Sequence, residues 1–151
     1  MSSDLGDLYQ EVIIDHSRRP HNFRALEDST RTVEGFNPLC GDQLTLYLKL
    51  TDGCVADIAF QGSGCAISQA SASLMTAALK GKTEVDALAL FGRVHTMLTQ
   101  AQNGEADLEN LGSLAALSGV SEFPMRVKCA TLAWHTLRNA LEQSDEYASR
   151  E

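Results

Sequence analysis

The sequence predicts an α+β protein in which a small antiparallel sheet of about three strands packs against several helices. Alternating apolar and polar residues, typical of strands, occur only in the first half of the chain. A hairpin signal, Thr51-Asp52-Gly53, joins two of these stretches. From residue 66 onward the apolar residues recur with helical spacing. Strands first and helices later favour α+β over an alternating parallel fold.

An amphipathic helix opens the chain, and Pro20 ends it. One helical face carries its apolar positions: Leu5, Leu8, Tyr9, Val12, Ile13 and His16. A short strand follows at about residues 32–36. Pro38 and Gly41 then shape a turn over residues 37–42.

Period-two alternation over residues 44–50 is the clearest strand signal in the chain. Residues 55–60 form its partner across the hairpin. Cys54 shares its parity with Ala56, Ile58 and Phe60, which predicts that these residues form the buried face of the second strand.

Helical periodicity resumes at residues 66–80, and Gly81 caps that helix. Thr83 with Asp86 resembles a capping box and starts a second helix that runs to about residue 102. Breaks at Asn103-Gly104 and Ser118-Gly119 flank a short helix near residues 108–117. A last helix starts near residues 121–124 and runs to about residue 142. Its apolar stripe is Val127, Ala130, Trp134, Leu137 and Leu141. The polar tail at 143–151 is expected to fray.

Composition limits the class of protein. The 151 residues predict one domain over 1–151 with a real core. Twelve basic and twenty acidic residues give a net charge of −8, which argues against a nucleic-acid partner. No apolar run is long enough to span a membrane. The acidic N-terminus lacks the features of a signal peptide, which predicts a cytoplasmic protein.

Four cysteines in a cytoplasmic chain favour metal binding or catalysis over disulfides. Cys54 reads as a buried hydrophobe of its strand. Cys40 and Asp42 flank Gly41, which lets the backbone turn so that both side chains converge. Cys65 follows a glycine-rich turn and precedes a helix, where the helix dipole favours a thiolate. Cys129 lies early in the last helix.

Cys40, Asp42, Cys65 and Cys129 would supply four ligands of a kind that suits tetrahedral zinc. Arg126 and Lys128 add positive charge near Cys129, which stabilises thiolates. The same thiolates could accept and pass on a sulfur atom. The absence of a CxxC pair makes the zinc spacing a weak signal, and buried structural cysteines stay an alternative.

Other motifs are less informative. Residues 62–64 (GSG) resemble a dinucleotide loop, but position 67 is Ile, so nucleotide binding is not expected. His95 lies on an apolar stripe and reads as a core histidine. His135 is six residues past Cys129, which points it away from the cysteines. His16 and His21 could lie at a surface or an interface.

Three motifs in order change this assessment. They are GFNPLCGD at 35–42, GSGCAIS at 62–68 and RVKCATLAW at 126–134. Together they resemble the three-cysteine motifs of the NifU/IscU-type iron–sulfur cluster assembly scaffold family. Tyr9, His16 and Pro20 agree with that family, whereas Arg24 stands where many members have Gly. The resemblance covers nearly the whole chain and implies a SufE/NifU-like fold.

Within that family, two features make the chain resemble the zinc-dependent SufU branch. Lys128 stands where housekeeping scaffolds carry His, and the stretch from Cys65 to Cys129 is longer, with the addition within residues 82–120. The resemblance implies zinc held by Cys40, Asp42, Cys65 and Cys129, with Arg126 in a supporting role. Cys40 would accept persulfide sulfur.

The implied partner is a PLP-dependent cysteine desulfurase of the SufS type, with iron–sulfur assembly proteins downstream. A scaffold that carries iron or an iron–sulfur cluster is the main alternative. A structural zinc module without a transfer role is a third.

Overall fold

The computed structural model describes residues 2–38, 41–100 and 111–142, with the side chains of residues 2–7, 100 and 122 left out. The elements are α1 (Ser2–Arg18), β1 (Arg31–Asn37), β2 (Asp42–Thr51), β3 (Cys54–Ser63), α2 (Ala66–Leu79), α3 (Glu84–Gln100), a 3-10 segment (Gly112–Glu122) and α4 (Pro124–Leu141). The predicted α+β class is confirmed. None of the helices in the described ranges is both long and apolar enough to cross a membrane.

The sheet is antiparallel, with the strand order β1-β2-β3. The predicted hairpin joins β2 to β3, and Thr51 pairs with Cys54 across it. Asp52 and Gly53 both have positive φ, 55° and 78°. Two successive positive φ angles match the right-handed twist of the flanking strands, which favours this tight turn.

The predicted parity of β3 is only partly right. Ile58 and Phe60 are buried, but Val55 is buried in place of Ala56, and Cys54 is half-buried. A register shift causes the difference: Lys49 pairs with Asp57 and Leu50 with Val55, which leaves Ala56 as the extra residue of a bulge. A bulge reverses the alternation of a strand beyond it, so Val55 turns into the core.

The helical half follows the prediction at its caps and differs in one segment. Thr83 Oγ1 accepts a hydrogen bond of 3.0 Å from the Asp86 backbone N–H, which confirms that α3 begins there. The predicted break at Ser118-Gly119 is wrong, because 3-10 turns continue from Gly112 to Glu122.

Leu114, Leu117 and Val120 explain the continuous 3-10 segment. All three are buried, and their spacing of three residues matches the 3-10 repeat. The predicted break at 103–104, residues 108–110 of the predicted short helix and the tail at 143–151 lie outside the described residues.

Helices α2 and α4 form the centre of the molecule. The predicted stripe of α4 is confirmed, with Ala130, Trp134, Leu137 and Leu141 buried and Val127 half-buried. Ser71 of α2 links the two helices: its hydroxyl donates to Ala130 O at 2.6 Å and accepts from Trp134 Nε1 at 3.2 Å. Gly35 lets α4 approach β1, since a Cβ at this position would collide with Thr136 Oγ1. This packing brings the N-terminal turns of α2 and α4 to the end of the sheet where β2 begins.

Candidate metal centre

Three of the four predicted ligands meet at one point. A carboxylate oxygen of Asp42 and the Sγ atoms of Cys65 and Cys129 all lie within 4.8 Å of one another. They form the one group of three or more candidate metal ligands found among the described residues. Cys40 lies outside the described residues.

The turn between β1 and β2 places Asp42. Asn37 and Asp42 are the last pair of the β1–β2 ladder, and the Gly41 N–H donates to Asn37 O at 2.9 Å. Gly41 has a φ of +72°, a conformation that glycine adopts without steric penalty. As the first residue of β2, Asp42 is held by the ladder and is fully buried.

Cys65 is the N-cap residue of α2, as the glycine-rich turn before it predicted. Its Sγ accepts a hydrogen bond of 3.4 Å from the Ser68 backbone N–H. The sulfur therefore lies at the N-terminal, positive end of the helix dipole. Cys65 is half-buried, whereas Asp42 and Cys129 are buried.

Cys129 comes from the second turn of α4 and is buried. Its Sγ lies 3.8 Å from Met125 O, to which the thiol donates. Arg126 and Lys128 are both exposed on the first turns of the same helix. The two charged residues are therefore open to solvent and lie within three residues of Cys129 in the sequence.

The Asp42 carboxylate distinguishes this cluster from a chance meeting of polar groups. Its Oδ1 accepts the Cys65 backbone N–H at 3.0 Å. Its Oδ2 is buried and has no hydrogen-bond partner within the described parts of the chain. A buried carboxylate oxygen without a donor is costly unless a cation lies beside it.

Few metal ions suit a site made of two thiols and one carboxylate. Sulfur ligands suit zinc and iron–sulfur clusters, whereas calcium and magnesium require oxygen ligands. The donor atoms present therefore fit a metal site.

The histidines take no part in the cluster, as the sequence predicted for His95 and His135. Those two rings contact each other between α3 and α4, with centroids 5.5 Å apart, and both also contact Phe91. His16 and His21 stack at 4.4 Å where the end of α1 meets α2. Both pairs are parts of helix packing.

Gly64 is a site residue to which the sequence analysis gave no role. A Cβ at this position would lie 2.5 Å from Asp42 Oδ1 and 3.0 Å from its Cγ. The glycine-rich turn before Cys65 was the sequence feature that could have pointed to Gly64. Its meaning depended on which side chain from β2 would lie against it, and the sequence does not show that.

Comparison with known proteins agrees with this geometry. The family model for the NifU-like N-terminal domain matches residues 8–143. The iron–sulfur cluster assembly scaffold protein IscU of Streptococcus pyogenes serotype M1 is 44% identical over 142 residues, covering 94% of this chain and 87% of that protein. The zinc-dependent sulfurtransferase SufU of Bacillus subtilis is 41% identical over 144 residues, covering 95% and 96%.

A solved structure is also similar. It is a protein from Fervidobacterium islandicum AW-1, described as a cluster assembly scaffold for the SUF system, with a TM-score of 0.80 and 37% identity. The match covers 87% of this chain and 94% of that one. The resemblance found in the three motifs therefore extends to the sequence and the fold of nearly the whole chain.

Proposed function

Since this chain belongs to the family of NifU-like N-terminal domains, we propose that it serves iron–sulfur cluster biogenesis by accepting persulfide sulfur at a zinc-bound cysteine site. The observation that carries the proposal is the convergence of Asp42, Cys65 and Cys129 within 4.8 Å. The whole chain, residues 1–151, acts as one domain. We place it in the cytoplasm, where thiols stay reduced.

Zinc would be held by Cys40, Asp42, Cys65 and Cys129. The buried Asp42 Oδ2 and the two neighbouring thiols support this ligand set. A relative from Bacillus subtilis is named a zinc-dependent sulfurtransferase, which agrees with it. Zinc keeps thiols in the thiolate form and has no redox chemistry of its own.

Cys40 is the sulfur acceptor in this proposal. Cys129 is buried, and the Cys65 thiol caps α2, so neither is free to move toward a partner. Cys40 lies between Pro38 and Gly41, which are both exposed. An acceptor must leave the metal and reach into another protein, which the burial of Cys129 and the capping role of Cys65 oppose.

The transfer step is a thiol–persulfide exchange. The Cys40 thiolate attacks the terminal sulfur of a persulfide on the partner's cysteine. A new S–S bond forms on Cys40, the partner's S–S bond breaks, and the partner's cysteine leaves as a thiolate. No oxidant is consumed. The partner is a PLP-dependent cysteine desulfurase of the SufS type, and downstream assembly proteins receive the sulfur.

Arg126 and Lys128 support this exchange electrostatically. Both are exposed and close to Cys129 in the sequence, on a chain whose net charge is −8. Their positive charge attracts the anionic persulfide and acidic groups of the partner, which raises the rate of productive encounter. Arg126 is therefore a supporting residue of the transfer.

A cluster scaffold is the second candidate. The 44% identical relative is named a scaffold protein, and the same thiolates could hold an iron–sulfur cluster. Lys128, directly before Cys129, argues against this candidate. Housekeeping scaffolds carry His at this position, and lysine is a poor ligand to a cluster.

Metal analysis separates the two candidates. The protein is purified without added metal, and its zinc, iron and labile sulfide are measured. Sulfur transfer predicts about one zinc per chain, the content of a four-ligand site, and no sulfide. Iron with matching sulfide would instead make the chain a scaffold.

Substitution of Cys40 then tests whether it is the sulfur acceptor. Cys40→Ala should abolish the stimulation of a SufS-type desulfurase. Cys54→Ala is the matched control, because this half-buried thiol lies outside the cluster. If Cys40→Ala stimulates the desulfurase as well as the unaltered protein does, the proposal is wrong.

A further inference from the structure

We propose that Gly64 and the backbone N–H of Cys65 are positioning elements that make Asp42 bind the metal through Oδ2 alone. This inference rests on the proposed metal site and adds to it how one ligand is oriented. It concerns two groups that donate nothing to the metal themselves.

The two oxygens of the Asp42 carboxylate differ in their surroundings. Oδ1 accepts the Cys65 N–H at 3.0 Å, at the N-cap of α2. Oδ2 is buried and lacks a hydrogen-bond partner across the described ranges. The hydrogen bond holds the carboxylate plane in place and leaves Oδ2 as the oxygen that needs a cation.

Gly64 makes this arrangement sterically possible. A Cβ at position 64 would lie 2.5 Å from Asp42 Oδ1, 3.0 Å from Cγ and 3.2 Å from Cα. The carboxylate could not yield without losing its hydrogen bond. Its Cα could not yield either, since Asp42 is paired with Asn37 in the sheet. Only glycine fits between the β2 strand and the Cys65 amide.

The chemical consequence is the coordination number. One carboxylate oxygen with three thiolates makes a four-ligand site, which is the geometry that zinc prefers. A carboxylate released from the Cys65 N–H is free to rotate and can offer both oxygens or neither. Groups that orient a ligand in this way typically contribute a factor of about 10–100 in metal affinity.

Cobalt(II) reports both geometry and affinity. The probe is added to metal-free protein, and visible absorption is recorded for the unaltered chain, Gly64→Ala and Gly92→Ala. Gly92 is the matched control, because a Cβ there meets nothing within 4 Å. We expect Gly64→Ala to bind Co²⁺ roughly 10–100-fold more weakly, with weaker tetrahedral bands, and Gly92→Ala to be unchanged.

Equal affinity and an equal spectrum in Gly64→Ala would overturn the inference. In case Gly64→Ala does not fold, X-ray absorption on the zinc form of the unaltered protein decides instead. We expect a single Zn–O distance of about 2.0–2.2 Å and a total coordination of about four.

The X-ray absorption experiment also separates this inference from the proposed function. Two oxygens on the metal would overturn the inference and leave the zinc site intact. If the unaltered protein binds neither zinc nor cobalt, the proposed function fails, and this inference fails with it.

Discussion

At the scale of single residues, Gly41 allows the turn between β1 and β2 that places Asp42. Its φ is +72°, and a Cβ placed there would meet nothing within 4 Å. Any penalty for a side chain at this position is therefore conformational and not due to a clash. Gly64 is the opposite case, because its constraint comes from contact with Asp42.

Gly41→Ala should lower the free energy of unfolding by about 1–2 kcal/mol, which is the typical strain of an L-residue in the left-handed region. Urea denaturation followed by the fluorescence of Trp134, the single tryptophan, measures this change. Gly92→Ala serves as control, since an alanine inside helix α3 should stabilise by up to about 1 kcal/mol. An unaltered midpoint in Gly41→Ala would contradict the prediction.

At the scale of elements, buried Ser73 of α2 holds the end of α1. His16 Nδ1 lies 2.6 Å from Ser73 Oγ, and the His21 backbone N–H donates to the same oxygen at 2.7 Å. The two imidazole rings stack on each other. This contact fastens the N-terminal helix to the central helix whose N-cap is Cys65.

The contact between His16 of α1 and Ser73 of α2 should weaken in acid. Burial lowers the pKa of His16 below 6.5, the charge of neighbouring His21 lowers it further, and Asp15 opposes both. As the pH falls from 6.5 through the lowered pKa, His16 therefore binds protons more readily in the unfolded chain than in the folded protein. The contribution of His16 to stability is complete above that pH and is lost as the pH falls through the lowered pKa.

Urea denaturation at about pH 7.5 and about pH 5.5, which bracket histidine titration, measures this loss. In His16→Gln the decrease between the two pH values should be smaller than in the unaltered protein. His95→Gln is the control, because His95 packs between α3 and α4 and not against α1. An identical decrease in His16→Gln would refute this assignment.

At the scale of the whole molecule, the candidate metal centre joins three separate parts of the fold. Asp42 begins β2, Cys65 caps α2, and Cys129 lies in α4. A bound metal would therefore connect the sheet to both central helices. Because the unfolded chain does not hold these groups together, metal binding should add to the stability of the folded protein.

Removing the metal should consequently lower the melting temperature. At a free zinc concentration 100-fold above the dissociation constant, the expected stabilisation is about 2.7 kcal/mol. Calorimetry with and without a chelator measures this shift, and the Asp42→Ala, Cys65→Ala double variant should show almost none. A melting temperature that does not respond to the chelator would count against a metal-linked fold.

Local patterns in the sequence determined most of the elements. Alternation predicted the β2 strand, two residues with positive φ allow the hairpin that Asp52-Gly53 predicted, and Thr83 caps α3. These features depend on residues close together in the chain, so the sequence contains them. The candidate ligands were also visible, through the chemistry of cysteine and aspartate and through their motifs.

Tertiary packing decided the rest. The bulge that buries Val55 in place of Ala56 arises from pairing with β2, and the continuous 3-10 segment from burial of Leu114 and Leu117. The orientation of Asp42 likewise depends on Gly64 and the Cys65 amide, which approach it from another element. A sequence states which groups are available, whereas distances between residues far apart in the chain are set only when the elements pack.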